Sequence, residues 1–396
     1  MRVTREQITG FLDKAVEWCV YVLMFVITFS NSMVEIVSTI LITAWVLGTI
    51  IKGDYRKLRS LPAIFLGAYF LWVILSCFNS QYPKESFRGI FKALQYALVF
   101  MAVSTQVWPE GKSRKFLYAA AGATFLVTVN GIFQYITGED LLRHRTLIPD
   151  EYLRRISSSF IHPNDFGAYL IVVGSLFVPM LLSPKNGIKR TMLFFTVLAL
   201  ALVCLFLTGS RGAWMSFAAA FVVVGILKGK KTAALFMGIL VLVFILMPSS
   251  SRQRIYETAD LKSGTSWERV MLWRGSVDMI KEHPVLGFGV NTFSKHFPDY
   301  KPQGYIDDRY AHNCYLQTAS EIGIPGALLM ICFMVAALGC SLKGILSMPG
   351  GYQKNFSVGM FGGTVGFLLN SAVDTHLFSL TLAVFFNIII GVTLSS

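Results

Sequence analysis

Long apolar segments dominate the chain and predict its secondary structure. Runs of about 20 apolar residues alternate with short polar connections, and a helix needs about that length to cross the hydrocarbon core of a bilayer. We therefore expect an all-α integral membrane protein with a single transmembrane domain over residues 1–396. The pattern predicts about twelve membrane spans, near residues 15–31, 33–51, 61–78, 88–106, 115–137, 164–182, 190–207, 212–228, 232–248, 319–341, 356–373 and 377–394.

Composition agrees with this pattern. Hydrophobic residues make up 54% of the chain and charged residues only 14%, whereas soluble domains carry about 25% charged residues. The six cysteines lie in or beside apolar runs without paired spacing, which favours neither a disulfide framework nor a metal site. No cleavage pattern follows the first apolar run, so we expect that run to remain as a membrane helix.

The formal net charge of +13 has a topological explanation. About half of the 35 lysines and arginines fall at the N-terminus or in short connections that are cytoplasmic if the N-terminus is inside. The short connections of the other side hold only Lys84, Arg88 and Arg211. The positive-inside rule thus predicts both termini in the cytoplasm. The charge needs no nucleic-acid partner, and we expect none.

Two longer outside segments carry basic residues that topology leaves unexplained. The smaller, 137–163, includes Arg154 and Arg155, and the larger, 249–311, separates spans nine and ten. Large apolar residues in the second segment argue against disorder. Their spacing predicts a helix near 265–283, which either lies on the membrane or folds back over the bundle. Proline and glycines in HPVLGFG, residues 283–289, then end this helix.

Arg211 is the first candidate for chemistry. It lies in the tight outside turn of LTGSRGAWMSF, residues 207–217, between glycines and at the start of span eight. An arginine at a helix N-terminus is disfavoured by the helix dipole unless an anion also lies there. The alternative is an arginine that reaches the lipid headgroups and only anchors the helix.

The predicted loop helix supplies a second group of candidates. Arg269 and Trp273 are four residues apart and share one helical face, while Arg274 points elsewhere. A guanidinium offers a planar fork of donors suited to phosphate oxygens. The alternative is an amphipathic helix that contacts anionic lipid.

A third group begins the segment before span ten. His312 opens a polar helical stretch that includes Asn313 and Gln317. Histidine is the side chain best suited to exchange a proton near neutral pH. A single histidine near a membrane surface is also common as a structural residue, so both interpretations stay open.

A fourth, weaker group leads into span six. Arg155 and Asn164 are candidates for substrate binding, although Asn164 could simply cap the helix. Asp374 and His376 in the last outside connection are candidates without further support from the pattern.

Four motifs occur in order along the chain, and together they resemble a known family. They are FIHPNDFGAYL at 160–170, TGSRGAW at 208–214, ERVMLWRGSVDMIKEHPVLGFGVNTF at 268–293 and HNCYLQTASEIGIPG at 312–326. With the long outside segment before the histidine motif, they resemble the O-antigen ligase and polymerase superfamily of bacterial envelope enzymes, and the ligases most. The resemblance covers roughly residues 150–390.

The resemblance implies a GT-C-like glycosyltransferase of the bacterial inner membrane, active on the periplasmic face, with 137–163 and 249–311 as periplasmic loops. The implied donor is an undecaprenyl-pyrophosphate-linked glycan, and the implied acceptor is the lipid A-core of lipopolysaccharide. The reaction takes place among membrane lipids, with no cofactor and no metal. By the same resemblance, Arg211 and Arg269 hold the donor pyrophosphate, and His312 is the base of an inverting transfer.

Two alternatives stay open. A polymerase of the same superfamily would join lipid-linked repeat units of O antigen or exopolysaccharide, and the 137–163 segment suits its plan of two large loops. A polytopic transporter would also have about twelve spans, but its polar site normally lies near mid-depth on broken helices. Here the polar groups gather on one face, which favours the enzyme.

Overall fold

The computed structural model describes residues 4–148, 154–183, 187–257, 264–301 and 310–395. Parts of both predicted outside loops, 149–153, 258–263 and 302–309, lie outside these ranges. Within the ranges the chain is α-helical, and its β structure is limited to two isolated bridges. The α-helices are α1 Arg5–Val26, α2 Asn31–Lys52, α3 Leu61–Ser76, α4 Pro83–Ser104, α5 Glu110–Thr137, α6 Pro163–Leu181, α7 Ile188–Leu207, α8 Arg211–Lys228, α9 Lys230–Leu246, α10 Ser249–Tyr256, α11 Gly264–Glu282, α12 Phe293–His296, α13 Cys314–Ser347, α14 Tyr352–Asn370 and α15 Leu380–Ser395.

Each of the twelve predicted spans coincides with one of these helices. Among the described residues, eight helices are long and apolar enough to cross a membrane, namely α2 to α8 and α13. The protein is therefore an all-α, multi-pass membrane protein, as expected. The count of twelve stays a prediction, because α1, α9, α14 and α15 do not meet the same measure of length and hydropathy.

The centre of the bundle is formed by α6 and α14. Of the 18 most apolar consecutive residues of α6, 83% are buried inside the protein. Helix α14 carries glycines on the face toward α6, and a Cβ at Gly359 or Gly363 would come within 3.0 Å of the α6 backbone. Small residues let membrane helices approach closely. Close packing matters in a membrane because the hydrophobic effect does not drive helices together there, and dispersion contacts stabilise the pair instead. This close pair fixes the connections that leave α6 and α14.

Alternate connections meet at the same end of the bundle. We call one end the site end, and it holds the connections α1–α2, α3–α4, α5–α6, α7–α8, α9–α13 and α14–α15. Hydrogen bonds link these connections to each other, for example from Asn79 Nδ2 to the Gly287 carbonyl at 2.6 Å. At the opposite end, Gln353 Nε2 similarly donates to the Trp108 carbonyl at 2.8 Å. This alternation is what the predicted topology requires.

The long α9–α13 connection folds back over the bundle. Its main helix, α11, agrees with the predicted helix at 265–283 and packs against α13, where Ser320 Oγ donates to the Ser276 carbonyl at 3.2 Å. The connection also has a small apolar core of its own, formed by Leu272, Met279, Phe288, Phe293, Phe297 and Ala311. Of the two predicted positions for this helix, the one over the bundle is observed.

Helix α13 changes direction near its start. Ile322 and Gly323 leave helical geometry, and Gly323 has φ 74°. The carbonyls exposed before this break accept hydrogen bonds from the α11–α12 segment, with Phe288 N to Ser320 O at 3.1 Å and Gly289 N to Glu321 O at 2.8 Å. The polar stretch 314–321 is thus a separate short helix, joined to the loop on one side and to span ten on the other.

Candidate active site

Asp374 is the point where the site end converges. It lies in the α14–α15 connection, and only 8% of the residue is exposed. Its Oδ1 is 3.1 Å from His312 Nδ1 and accepts the Thr375 amide at 2.8 Å. Its Oδ2 accepts Asn164 Nδ2 at 2.6 Å and lies 3.9 Å from Arg269 Nη2. One carboxylate therefore joins residues from α6, α11 and the start of α13.

The surroundings of Asp374 keep it ionised. Burial by itself would raise the pKa of this carboxyl, but the hydrogen bond from His312 and the charges of His376, His312 and Arg269 hold the pKa well below its ordinary value. A carboxylate in this state is the partner that holds an imidazole by Nδ1–H, which places the basic lone pair on Nε2. The pair has the arrangement of a general base and the group that orients it.

The backbone around His312 is held from two sides. His312 has φ 47°, in the left-handed region that few non-glycine residues adopt. Trp273 Nε1 on α11 donates to the His312 carbonyl at 3.4 Å, and the Cys314 amide donates to the Ser371 carbonyl at 2.9 Å. Strained backbone geometry of this kind persists where surrounding contacts determine it. The imidazole is therefore positioned by α11 and by the α14–α15 connection together.

Arg269 reaches the site because α11 is docked on α13. Residues Arg269 and Trp273 lie one turn apart on α11, and both contact the site as the predicted common face requires. The Arg269 side chain keeps 25% of its surface exposed. Since its distance to Asp374 exceeds a hydrogen bond, its guanidinium fork is not committed to that carboxylate. The geometry suits a cation that faces a bound anion.

Arg211 lies at the N-terminus of α8, in a turn built on Gly209. Gly209 has φ 60°, and a Cβ there would be 3.2 Å from Arg155 Cγ. Ser210 caps α8 by accepting the Ala213 amide at 3.4 Å. Arg211 Nη1 donates to the Arg254 carbonyl at 3.2 Å, and Arg254 Nε donates to the Gly209 carbonyl at 3.1 Å. The turn thus brings Arg211 beside two further arginines.

Arg155 and Asn164 connect this turn to Asp374. Arg155 Nε donates to the Thr208 carbonyl at 2.8 Å, and its Nη2 donates to Asn164 Oδ1 at 2.7 Å. Asn164 Nδ2 then donates to Asp374. A hydrogen-bonded chain therefore runs from the α7–α8 turn to the carboxylate that holds His312. Asn164 does not cap α6, because His162 occupies the N-cap position.

Buried amide side chains on α5 hold the connection that carries Arg155. Gln134 Oε1 accepts the amides of Ser157 and Ser158 at 3.0 and 2.8 Å. Earlier in the same connection, the Asp140 carboxylate accepts the amides of Leu142, Arg143 and Arg145 at 2.8 to 3.0 Å. Burial would raise the pKa of Asp140, but these amide donors keep it below its usual value.

A second hydrogen-bonded group lies behind Asp374. His376 is fully buried, with Nδ1 3.3 Å from Asp165 Oδ1 and Nε2 2.8 Å from Asn370 Nδ2. These contacts tie the α14–α15 connection to the first turn of α6 and to the last turn of α14. They explain how a connection between two apolar helices holds Asp374 in one orientation.

The structure brings most of the predicted site residues together. His312, Arg269, Trp273, Arg155 and Asn164 join the Asp374 cluster directly or by one contact, and the Arg211 turn packs against Arg155. Two further predicted substrate contacts, Asn313 and Gln317, make structural contacts in the protein. Asn313 caps α13 by accepting the amides of Tyr315 and Leu316, and buried Gln317 accepts the Ala311 amide. A role of these two side chains in substrate binding stays a prediction.

Sequence reasoning did not single out Arg254 or Asp165, and it gave no role to Asp374. None of them has a local pattern that marks it, because each acts through partners far away along the chain. Across the described ranges, His, Cys, Asp and Glu side chains form no group of three or more suited to a metal ion.

One known protein family matches part of the chain. The sequence model of a family described as O-Antigen ligase matches residues 194–331. This segment contains Arg211, Arg269 and His312 and three of the four motifs, and the match supports the O-antigen ligase superfamily. The resemblance seen in the motifs is thereby confirmed, and the family points to a glycosyltransferase-like enzyme that acts on lipid-linked glycans in a membrane. No curated protein matches the chain.

Proposed function

We infer that the protein is an O-antigen ligase, which transfers a polysaccharide from undecaprenyl pyrophosphate to the lipid A-core. The observation that carries this proposal is the cluster around Asp374, in which an oriented histidine lies beside Arg269 and is linked through Asn164 and Arg155 to the α7–α8 turn that carries Arg211. A base beside several cations is the arrangement needed when a hydroxyl attacks a sugar whose leaving group is an anion.

The proposed reaction is a single displacement. His312 Nε2 takes the proton from an acceptor hydroxyl, and the hydroxyl oxygen forms a bond to the anomeric carbon of the donor. The bond from that carbon to the phosphate oxygen breaks, and its electron pair leaves with the undecaprenyl pyrophosphate. Attack opposite the leaving group inverts the anomeric centre. Asp374 holds the imidazole and stabilises the charge it gains.

Arg211 and Arg269 are proposed to bind the pyrophosphate. The negative charge on the leaving group grows as the sugar–phosphate bond breaks, and guanidinium forks fixed before the reaction stabilise it without reorganisation. The two arginines come from different connections, so that one can bind each phosphate. Arg155 and Arg254, which are committed to backbone carbonyls in part, add positive potential around them.

A polymerase that joins lipid-linked repeat units is the second candidate. The observation that favours it comes from the described part of the α5–α6 connection, which is held by hydrogen bonds to Asp140 and contributes Arg155 to the site. Both enzymes would use the same donor head and the same base. They differ in the acceptor, which an experiment in cells can identify.

The test is deletion of the gene in its host, followed by electrophoresis of lipopolysaccharide and complementation. Loss of all polymer-capped lipopolysaccharide with intact lipid-linked polymer supports the ligase. A single repeat unit on the core supports the polymerase, and unchanged envelope glycans contradict both. Complementation with His312→Ala is expected to fail, whereas His144→Ala, at an exposed histidine of the site end, is expected to succeed.

A further inference from the structure

The opposite end of the bundle contains a cavity that the proposed reaction does not use. It measures about 800 Å³ and lies among the α4–α5, α6–α7 and α13–α14 connections, beside the end of α15. Among the described residues, three cationic side chains line it, Arg114, Arg190 and Lys354, together with one carboxylate, Glu110. The cavity is thus large enough for a headgroup and carries an excess of positive charge.

The charges in this cavity are only partly compensated. Arg114 forms an ion pair with Glu110 one turn earlier on α5. Lys354 Nζ donates to the Met348 carbonyl at 3.0 Å, which leaves its charge unbalanced. Among the described residues, neither Arg190 nor Lys354 has a carboxylate partner. Two positive charges without a carboxylate partner therefore face the same cavity.

Two buried polar atoms in the same wall point to an acceptor-rich ligand. The Arg114 guanidinium lies over the Tyr352 ring, 5.2 Å from its centroid. Arg114 Nε and the Tyr352 hydroxyl are both buried and have no hydrogen-bond partner within the described part of the chain. Buried donors normally have acceptors, since leaving them without one costs free energy. Both atoms can donate, and an anion with several oxygens bound in the cavity would satisfy them once the side chains of Arg114 and Tyr352 turn toward it.

We propose that this cavity binds the phosphate of an anionic phospholipid headgroup. The connections that form it end apolar helices α4, α5, α6, α7 and α13, which places the cavity at the level of the headgroups. Basic pockets between membrane helices bind such headgroups, because the guanidinium and ammonium groups pair with phosphate oxygens. The positive-inside rule accounts for lysines and arginines in these connections, but not for their grouping around a cavity with buried donors.

The experiment measures lipid binding by the full-length purified protein, without any glycan substrate. The melting temperature in detergent is followed as dioleoyl phosphatidylglycerol, dioleoyl phosphatidylcholine or inorganic phosphate is added. We expect phosphatidylglycerol to raise the melting temperature in a saturable way. In Arg190→Gln/Lys354→Gln, half-saturation should need about 10- to 30-fold more lipid.

The matched control is Lys189→Gln/Lys231→Gln, which removes two exposed charges from the same end but outside the cavity. It should bind phosphatidylglycerol as the unmodified protein does. Tyr352→Phe removes one oxygen with little risk to folding, and it should weaken binding by about 2- to 10-fold. Saturable stabilisation by inorganic phosphate alone, lost in the same variants, would assign the site to soluble phosphate compounds.

Three results would overturn the proposal. The first is an equal response of the unmodified protein to phosphatidylglycerol and phosphatidylcholine. The second is equal weakening in the cavity variant and in the control. The third is no saturable response to either phosphate source. Since the readout is binding at the end away from Asp374, failure of the proposed ligase activity would leave it unaffected.

Discussion

Two connections of the site end each bring an arginine to the Asp374 cluster, and they are held in different ways. The α5–α6 connection carries Arg155 and is fixed by side-chain amides buried on α5, chiefly Gln134. The α9–α13 connection carries Arg269 on its own helix and is fixed by backbone hydrogen bonds to the break in α13. Arg155 is committed to a carbonyl and an amide, whereas Arg269 keeps its donors available. We infer that the α5–α6 connection has a structural role, whereas the α9–α13 connection presents Arg269 as a catalytic group.

The largest effect on the transfer rate is expected at Asp374, where the arginines of the two connections converge. Asp374→Asn keeps the shape of the side chain but removes the charge that holds the His312 imidazole. We expect transfer to fall by about 10²- to 10⁴-fold, because the imidazole loses both its orientation and its charged partner. The measurement is the initial rate of the purified protein in nanodiscs with a lipid-linked donor and a core acceptor.

Asp278→Asn is the matched control, because this carboxylate on α11 is exposed and pairs only with Lys281 among the described residues. Its rate should equal that of the unmodified protein. A rate for Asp374→Asn within twofold of the control would show that His312 does not depend on Asp374.

Replacing the two arginines in turn tests the difference in their roles. Arg269→Lys keeps the charge but loses the planar fork, and we expect a loss of about 10- to 100-fold in rate without a change in melting temperature. Arg155→Lys should lower the melting temperature and reduce the rate less, because it breaks contacts within the protein. Rates and melting temperatures are compared with Arg274→Lys, an exposed position on α11. If both variants lower mainly the rate, or both lower mainly the melting temperature, the two arginines do not have the different roles inferred above.

The break in α13 tests how the long connection is docked. At Gly323, with φ 74°, a Cβ would lie 2.0 Å from the Val285 carbonyl oxygen. Gly323→Ala should therefore loosen α11 and lower the rate by about 10-fold, since both the left-handed backbone and the close approach disfavour a side chain. Amide hydrogen exchange of α11 should rise. Gly339→Ala, where a Cβ meets nothing within 4 Å, is the control. Unchanged exchange in Gly323→Ala would mean that the docking does not need this break.

The smallest effect on rate is expected from the shorter connection. Gln134→Leu leaves the amides of Ser157 and Ser158 without their acceptor, at a cost of about 1 to 3 kcal/mol for each. We expect the melting temperature to fall by several degrees, while the rate falls less than in Arg269→Lys. Tyr135→Phe, at the exposed neighbouring position, should leave the melting temperature unchanged. A larger loss of rate than of stability would give this connection a direct part in catalysis.

The local sequence pattern was enough to predict the helices and those site residues that lie in recognisable motifs. The loop helix near 265–283 was predicted from its spacing, and the motifs led to Arg211, Arg269 and His312. Asp374 could not be assigned, because its partner His312 is 62 residues away in the chain. Such a contact depends on how α6, α13 and α14 pack, which no short pattern records.

Two asparagines show where local rules succeed and fail. Asn313 follows the capping rule and satisfies the first amides of α13. Asn164 has the same kind of position before a helix, yet Pro163 shifts the N-cap to His162 and Asn164 turns to Asp374 and Arg155. The tertiary partners of Asn164 decide its role, and they are not visible in its neighbours along the chain.

The break at Ile322 and Gly323 is also the place in α13 where a hinge would form. The backbone of 288–289 is hydrogen-bonded to the carbonyls of 320–321, so α11 and the first turns of α13 would move together. A hinge rotation at Gly323 would carry Arg269 and His312 together, and their mutual distance would stay constant. Their separations from Arg211 and from Asp374, which belong to the rest of the bundle, would change, so that the contact between His312 and Asp374 would form only in the closed position. The site would then open to admit a bulky polymer, and close for the reaction, by one rotation at Gly323. The distance between His312 and Arg269 would be the same in both positions.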